Sequence, residues 1–280
     1  MKILYVTDIH GVEWKYETIF NEALKYGVDM VINGGDLLPT RPSFFIQETF
    51  ITEYLDKYFT KFEEEGIFYL FQPANDDLQI HDSLLERISG KYDYIDYTAQ
   101  KLVKINEYEF IGFNFVTDLP FGLKDRARMD TSEFKFPRQI GKPLISTEEG
   151  MKELDDWFSY AKSLPTIEDE LKGLAKPENM RKAIYIMHMP PANVSLDVCS
   201  DARRVGSIAI FNFIKKNQPL FTLHGHIHES PQMSDKWVNK IGNTLCIQPG
   251  QSNHYEKYLN YVIFNPGTVN HERFSIEKPL

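Results

Sequence analysis

His224, His226 and His228 stand within five positions of one another in the stretch LHGHIHES, in a chain with eight histidines in all. Related side chains recur upstream: Asp8 and His10 in TDIHG, Asp36 in NGGDLL, Asn75 in PANDD, and His188 at the end of AIYIMH. Singly, each has an ordinary explanation as a turn residue, a helix N-cap or a satisfied core histidine. As a set they suit metal. Imidazole nitrogen with carboxylate oxygen favours Mn, Fe, Zn, Co or Ni over Ca or Mg, which prefer all-oxygen shells. Asp8, His10, Asp36, Asn75, His188, His226 and His228 are too many for one ion that must keep an open position, and about right for two. A ligand shared by two cations must carry charge, so an Asp suits the bridge and an amide or imidazole does not.

The elements that must position these residues are legible in the apolar pattern. Residues 2–7, 29–34 and 67–72 read as short buried strands, with Gly34, Gly35 and Pro73 as stops. Residues 13–26, 44–64 and 78–89 read as the helices between and after them. Such alternation predicts parallel strands with right-handed crossovers. A hairpin is expected over 101–113, turning at Asn106 and Glu107. Residues 117–145 show little periodicity and read as a loop, followed by helices at 147–164, with Ser146 or Thr147 as N-cap, and at about 166–174. Strands follow at 183–188 and 220–224 around a helix at 205–216, then β-type runs at 244–248, 258–264 and 268–276. The seven candidate ligands fall just after five of these strands. In open α/β sheets, ligands bind beyond the carboxyl ends of the strands. The expected architecture is α/β, with two stacked β-sheets and helices outside. No Pro/Gly/Ser-rich linker divides the chain, so it reads as one domain over 1–280, with an inserted loop and helical region at about 117–182.

Composition narrows the function classes. Net charge is −9, which disfavours a broad nucleic-acid surface. Cys199 and Cys246 are the only cysteines, too few for a disulfide framework or a four-thiolate zinc site. No stretch reads as a signal peptide or as a membrane span, so the expectation is a cytoplasmic protein without a membrane partner. A homo-oligomer is compatible with the sequence.

The motifs DIH (8–10), GGD (34–36), AND (74–76), MHMPP (187–191) and GHIH (225–228) together resemble the motif set of the calcineurin-like metallophosphoesterases. The resemblance implies a four-layer αββα sandwich of two mixed sheets, with a dinuclear site at the strand C-terminal ends. It implies hydrolysis of phosphate mono- or diesters by a hydroxide that bridges two divalent metals. Mn2+, Fe2+ or Fe3+, Zn2+, Co2+ and Ni2+ all suit the ligand types. By motif, Asp8, His10, Asp36 and His228 would hold one ion, and Asp36, Asn75, His188 and His226 the other, with Asp36 bridging. Asn75 would also help offset charge on the phosphoryl oxygens. His224 has no motif role and reads as a hydrogen-bond partner behind the ligands or as a buried polar residue.

The chain departs from the family pattern at one catalytic position. Where the family has Gly-Asn-His-Asp or Gly-Asn-His-Glu, this chain has Ala74-Asn75-Asp76-Asp77. The missing His is the group taken to protonate the leaving oxygen. Asp76 in its place acts as an acid only if its pKa is raised, and His81 and His254 are the other free candidates. The loss of that His points towards phosphodiesters rather than monoesters. The alternative is a metal-binding but catalytically weak protein-interaction module of the same fold. In the insert, Arg126 and Arg128 in FGLKDRARMD are candidate substrate contacts, or charges paired with the segment's own Asp125 and Asp130. In DARRVGS, Gly206 and Ser207 open a helix that either binds an anion or is simply capped.

Overall fold

The structure, a computed structural model, describes residues 1–251 and 257–278. Along the chain, β1 (Ile3–Val6), α1 (Glu13–Tyr26) and β2 (Met30–Asn33) lead into one continuous helical stretch over 44–65. That stretch holds α2 (Gln47–Thr49), a π-helical segment (Phe50–Leu55) and α3 (Asp56–Glu65). β3 (Phe68–Phe71), α4 (Asp82–Ser89) and β4 (Ile95–Tyr97) complete the first half. The hairpin of β5 (Leu102–Ile105) and β6 (Tyr108–Phe113) turns at Asn106, which takes φ +55°. The insert carries β7 (Val116–Thr117), β8 (Ala127–Arg128), β9 (Leu144–Thr147), β10 (Gly150–Glu153), α5 (Trp157–Ser163) and α6 (Ile167–Gly173). Then come β11 (Ala183–Met187), α7 (Ile208–Asn217), β12 (Phe221–Leu223), α8 (Ser230–Ser234), β13 (Val238–Ile241), β14 (Thr244–Ile247), β15 (Tyr258–Phe264) and β16 (His271–Glu277).

The strands form two six-stranded sheets, β16-β15-β1-β2-β3-β4 and β13-β14-β12-β11-β6-β5. Each has a parallel block, β1 to β4 in the first and β6, β11, β12 and β14 in the second. Antiparallel strands flank the blocks: β15 and β16 in the first sheet, β13 and β5 in the second. Period-two alternation builds the layers. On β1, Ile3 and Tyr5 point between the sheets, against Phe110, Ile184, Ile186 and Leu223. Leu4 and Val6 point the other way, onto Tyr16 and Ile19 of α1 and Phe59 and Phe62 of α3. The outer face of the second sheet, with Ile111, Phe113 and Tyr185, is covered by Ile210 and Ile214 of α7 and Ile167 and Leu171 of α6. Both sheets are therefore buried on two faces, which is why their strands read as near-continuous apolar runs. The architecture is the expected four-layer α/β sandwich.

The expected helix over 147–164 is a correction. Residues 144–153 form the β9–β10 hairpin, with Thr147 Oγ1 donating to Gly150 O at 2.7 Å. Gly150 has φ +115°, a region closed to a helix. Helix begins only at α5, where Asp156 accepts from the Ser159 N–H at 3.0 Å as its N-cap. The neighbouring helix α6 carries a capping box between Thr166 and Asp169. The segment read as a loop is packed, and every residue from Lys124 to Asp130 is buried. The short elements β4, β13 and α8 had no sequence signal.

Candidate metal centre at the strand ends

Asp8 and His10 follow β1, Asp36 follows β2, Asn75 follows β3, His188 follows β11, and His226 and His228 follow β12. Two parallel blocks thus deliver the seven side chains to one rim. The backbone there is forced: Asp8 (φ +58°), His10 (φ +45°), Asp36 (φ +52°) and His226 (φ +70°) are all left-handed. Non-glycine residues in that region cost about 1 kcal/mol or more each, and such strain gathers at functional sites. Bonds between the loops hold it in place. The Asp8 and His10 N–H groups donate to Gly35 O and Asp36 O at 2.9 Å, and the Gly225 N–H donates to His188 O at 2.9 Å. Asp77, fully buried, accepts from the N–H groups of Leu37, Leu38 and Ala74 at 2.7–3.1 Å and ties the second loop to the third. Gln72 lies between the sheets and donates to Gly34 O, Phe113 O and Ile186 O. Gln72 carries no signal in the sequence, because its partners are main-chain groups far along the chain.

The donor atoms converge in two groups. Those of Asp8, His10, Asp36 and His228 lie within 4.8 Å of one another, and so do those of Asp36, His188 and His226. Asp36 belongs to both. Asp8 Oδ2, His10 Nδ1, Asn75 Oδ1, His188 Nε2 and His226 Nε2 are buried without a hydrogen-bond partner among the described residues. Buried polar atoms are nearly always paired, so five unpaired atoms on the candidate ligand residues point to a ligand-binding centre. Their chemistry, N and O donors with carboxylates, fits divalent transition metals. His188 shows how the orientation is set. Its Nδ1–H donates to Gly34 O at 3.1 Å, which turns Nε2 towards Asp36, 3.3 Å away, and Asp8, 3.6 Å away. Burial pulls the His188 imidazole down, but Asp36 and Asp8 outweigh it and hold it up at about 9. Asp8 and Asp36 stay below their usual range despite burial, because histidines face them. The field therefore favours positive charge between the carboxylates.

Asn75 and Asp76 share the third loop. The Asn75 Nδ2 donates to Asp76 Oδ1 at 3.0 Å, which fixes the amide so that Oδ1 is the end left for a cation. The Asp76 N–H donates to Asp36 Oδ1 at 2.8 Å. The Asp76 side chain is 39% exposed, with Oδ2 3.8 Å from His10 Nδ1. Partial desolvation and the Asp36 charge push its carboxyl up, and cations alongside would act in the opposite direction.

His224 stands apart from the ligand groups. It is fully buried, and its Nδ1 lies 2.9 Å from Met187 O and 3.1 Å from Met189 O, the carbonyls on either side of His188. Carbonyls only accept, so Nδ1 carries the proton and Nε2 accepts from the Thr222 hydroxyl at 2.8 Å. Burial pushes this imidazole down to about 4, in keeping with a neutral ring. His224→Leu is expected to cost about 3 kcal/mol in urea unfolding, because it strands three buried polar groups. The folded variant should still bind two metals, and loss of one would instead make His224 a ligand.

The remaining candidates have partners inside the protein. Arg126 is buried, with Nε donating to Ala74 O at 2.9 Å and its two terminal nitrogens to the Asp82 carboxylate. Arg128 is buried too. It donates to Asp125 O and Ala127 O, stacks 4.1 Å from the Phe115 ring centroid and lies 3.6 Å from Glu170. Neither guanidinium is turned to solvent as a substrate contact would be. The helix opened by Ser207 is capped by the protein itself. Ser207 Oγ accepts from the Ile210 N–H, and the Asp130 carboxylate accepts from Ser207 Oγ, Ile208 N and Ala209 N. His81 is half-buried, and burial pulls it down while Glu48, Asp82 and Asp125 oppose; none of those carboxylates belongs to the metal groups. His254 lies outside the described residues.

The family model of the calcineurin-like phosphoesterases matches residues 1–230. No curated protein matches the chain. Among solved structures, one crystal structure at 18% identity aligns with a TM-score of 0.62 over 98% of both chains. TT1561 of Thermus thermophilus aligns at 14% identity and a TM-score of 0.57, covering 98% of this chain and 97% of its own. An archaeal phosphodiesterase aligns at 12% identity and a TM-score of 0.47, covering 99% of this chain and 100% of its own.

Proposed function

This chain belongs to the calcineurin-like phosphoesterases, and from that premise we propose that it is a dinuclear phosphodiesterase with Asp36 between its two metals. The observation that carries the reading is the membership of Asp36 in both groups of converging donor atoms. Asp8, His10 and His228 would complete one position, and Asn75, His188 and His226 the other. When bound, the cations supply Lewis acidity, make hydroxide available as a nucleophile near neutral pH and offset charge on the phosphoryl oxygens. The protein's part is to hold those ligands. Gly34 O orients His188, Asp76 orients the Asn75 amide, and the loop-to-loop bonds keep the rim rigid.

Preference for diesters rests on Asp76. A half-exposed carboxylate at the mouth of the site repels a dianionic monoester more than a monoanionic diester. It also lacks the ready proton that a poor alkoxide leaving group needs once cations hold it ionised. The metal is of the Mn, Fe, Zn, Co or Ni kind, read from the donor types. No helix among the described residues is long and apolar enough to cross a membrane. A cytoplasmic location is supported by Cys199 and Cys246, which are not joined to each other. We read the chain as a single phosphoesterase domain with an insert.

The test compares bis-p-nitrophenyl phosphate with p-nitrophenyl phosphate, using protein stripped of metal and reloaded with Mn2+. The diester should be turned over with the higher kcat/KM, by about tenfold or more. Asp76→His should narrow that gap by raising turnover of the monoester. Equal or reversed preference would sink the diester reading. Stoichiometric metal binding with no turnover of either ester would favour a metal-binding interaction module.

A further inference from the structure

The most charged part of the insert is also buried. Lys124, Asp125, Arg126, Arg128 and Asp130 are each less than a tenth exposed. Burying charge is costly unless each group is paired and hydrogen-bonded, so the partners reveal what the segment holds together. Lys124 pairs with Asp118 at 2.7 Å, within the insert. Asp130 caps α7. Asp125 and Arg126 reach out to the third loop instead. Asp125 accepts from the Gln79 N–H at 2.8 Å, and from Ser146 N and Oγ at 2.7 and 2.6 Å. Arg126 spans the loop from end to end, with Nε on Ala74 O and a two-point bond to Asp82, at 2.5 and 3.1 Å, where α4 begins. Ala74 immediately precedes Asn75.

Among the seven candidate ligands, Asn75 has the greatest need of such support. The others are carboxylates or imidazoles, which are strong donors to a cation. An amide carries no charge, so its contribution depends on being held in place before the ion arrives. Asn75 Oδ1 is one of the buried atoms without a hydrogen-bond partner among the described residues. A planar, permanently charged guanidinium makes all three bonds from one rigid fork, which a lysine ammonium cannot reproduce. Gln47 also holds this loop, donating to Asp76 O at 2.8 Å and accepting from Leu78 N at 2.9 Å, and Asp77 accepts from Ala74 N. Loss of Arg126 would therefore loosen the loop and leave it attached.

We propose that Arg126, braced by Asp82, is a positioning residue for Asn75, so that the insert sets the affinity of one metal position and not the other. The affected position is the one formed by Asp36, Asn75, His188 and His226. The inference rests on the reading of the site as a metal pair.

The test is Mn2+ binding to the full chain by calorimetry and by electron paramagnetic resonance, with wild type, Arg126→Lys, Asp82→Asn, Asn75→Ala and the Arg126→Lys/Asn75→Ala double variant. Wild type should bind two ions and show an exchange-coupled spectrum. In Arg126→Lys and Asp82→Asn one ion should bind as in wild type. The other should weaken about tenfold to a hundredfold, leaving the six-line spectrum of isolated Mn2+ at the same metal concentration. Asn75→Ala should show the same selective loss, and the double variant should add little to it, because the two residues act through one ligand. Equal weakening of both ions, no weakening of either, or full additivity in the double variant overturns the assignment. If Arg126→Lys fails to fold, Asp82→Asn carries the same comparison. One ion in the wild type, or an unchanged second ion in Asn75→Ala, would instead refute the metal-pair reading and take this inference with it.

Discussion

Asp36→Asn should lower phosphodiester turnover by about a thousandfold or more while leaving the protein folded. Asp36 is the one side chain common to both groups of converging donors, so no neighbour could replace its charge between the two proposed cations. Asparagine is the appropriate probe. It keeps the shape of the side chain and tolerates the left-handed backbone that Asp36 adopts at φ +52°. The amide can still place an oxygen where Oδ1 accepts from the Asp76 N–H. Asp36→Ala would confound the result by removing that bond and straining the turn. The expected outcome is a far-UV spectrum like that of wild type, fewer than two Mn2+ per chain after dialysis, and loss of turnover. Activity within tenfold of wild type, with two metals retained, would show that another group bridges the ions.

Gly35→Ala is expected to be severe for a different reason. Gly35 has φ +123°, which L side chains rarely adopt. A Cβ there would lie 2.5 Å from Ala74 Cβ and 2.8 Å from His188 Nδ1. Neither neighbour can yield cheaply. Ala74 belongs to the loop gripped by Asp77 and Arg126, and His188 is fully buried with Nδ1 bonded to Gly34 O. The substitution should cost about 3 kcal/mol or more in urea unfolding, and metal affinity should fall with it as the His188 ring turns. Gly27→Ala is the control. Gly27 caps α1 at φ +54°, but nothing lies within 4 Å of the added carbon, so the cost should be only the backbone preference, about 1 kcal/mol. If the two variants lose the same stability, the close approach of the second loop to His188 is not what demands glycine.

Both predictions depend on features of unequal visibility. Asp36 and Gly35 are adjacent in NGGD, a motif readable in one line of sequence. The contact that makes Gly35 indispensable is with His188, which follows a strand of the other sheet, far along the chain. The same holds for His224. Its spacing in LHGHIHES matches that of the ligands, and its role is set by Met187 O and Met189 O, which only β11 beside β12 brings within reach.

The insert shows the sharpest limit. Charged residues without periodicity read as a loop, and Arg126 and Arg128 read either as substrate contacts or as charges paired with Asp125 and Asp130. In the folded chain Arg126 grips Ala74 O and Asp82, and Asp130 takes the anion's place at the start of α7. Composition cannot distinguish a charge that faces solvent from one that is buried and paired. The helix expected at 147–164 failed through a local detail. Gly150 at φ +115° closes a hairpin, while the apolar residues around it fit a helical spacing equally well.

What the sequence determined by itself was the set of layers and the identity of the donors. Short apolar runs alternating with amphipathic stretches leave few ways to bury both faces of parallel strands, and Asp, His and Asn placed just after those strands must gather at their carboxyl ends. The tertiary structure decided which of those donor atoms converge, which imidazole nitrogen faces them, and which glycine and arginine hold the rim in shape. Those properties depend on distances of a few ångströms between segments far apart in the chain. Hydrophobic pattern sets only the order and direction of the segments, and the packing of the two sheets and the insert sets the distances.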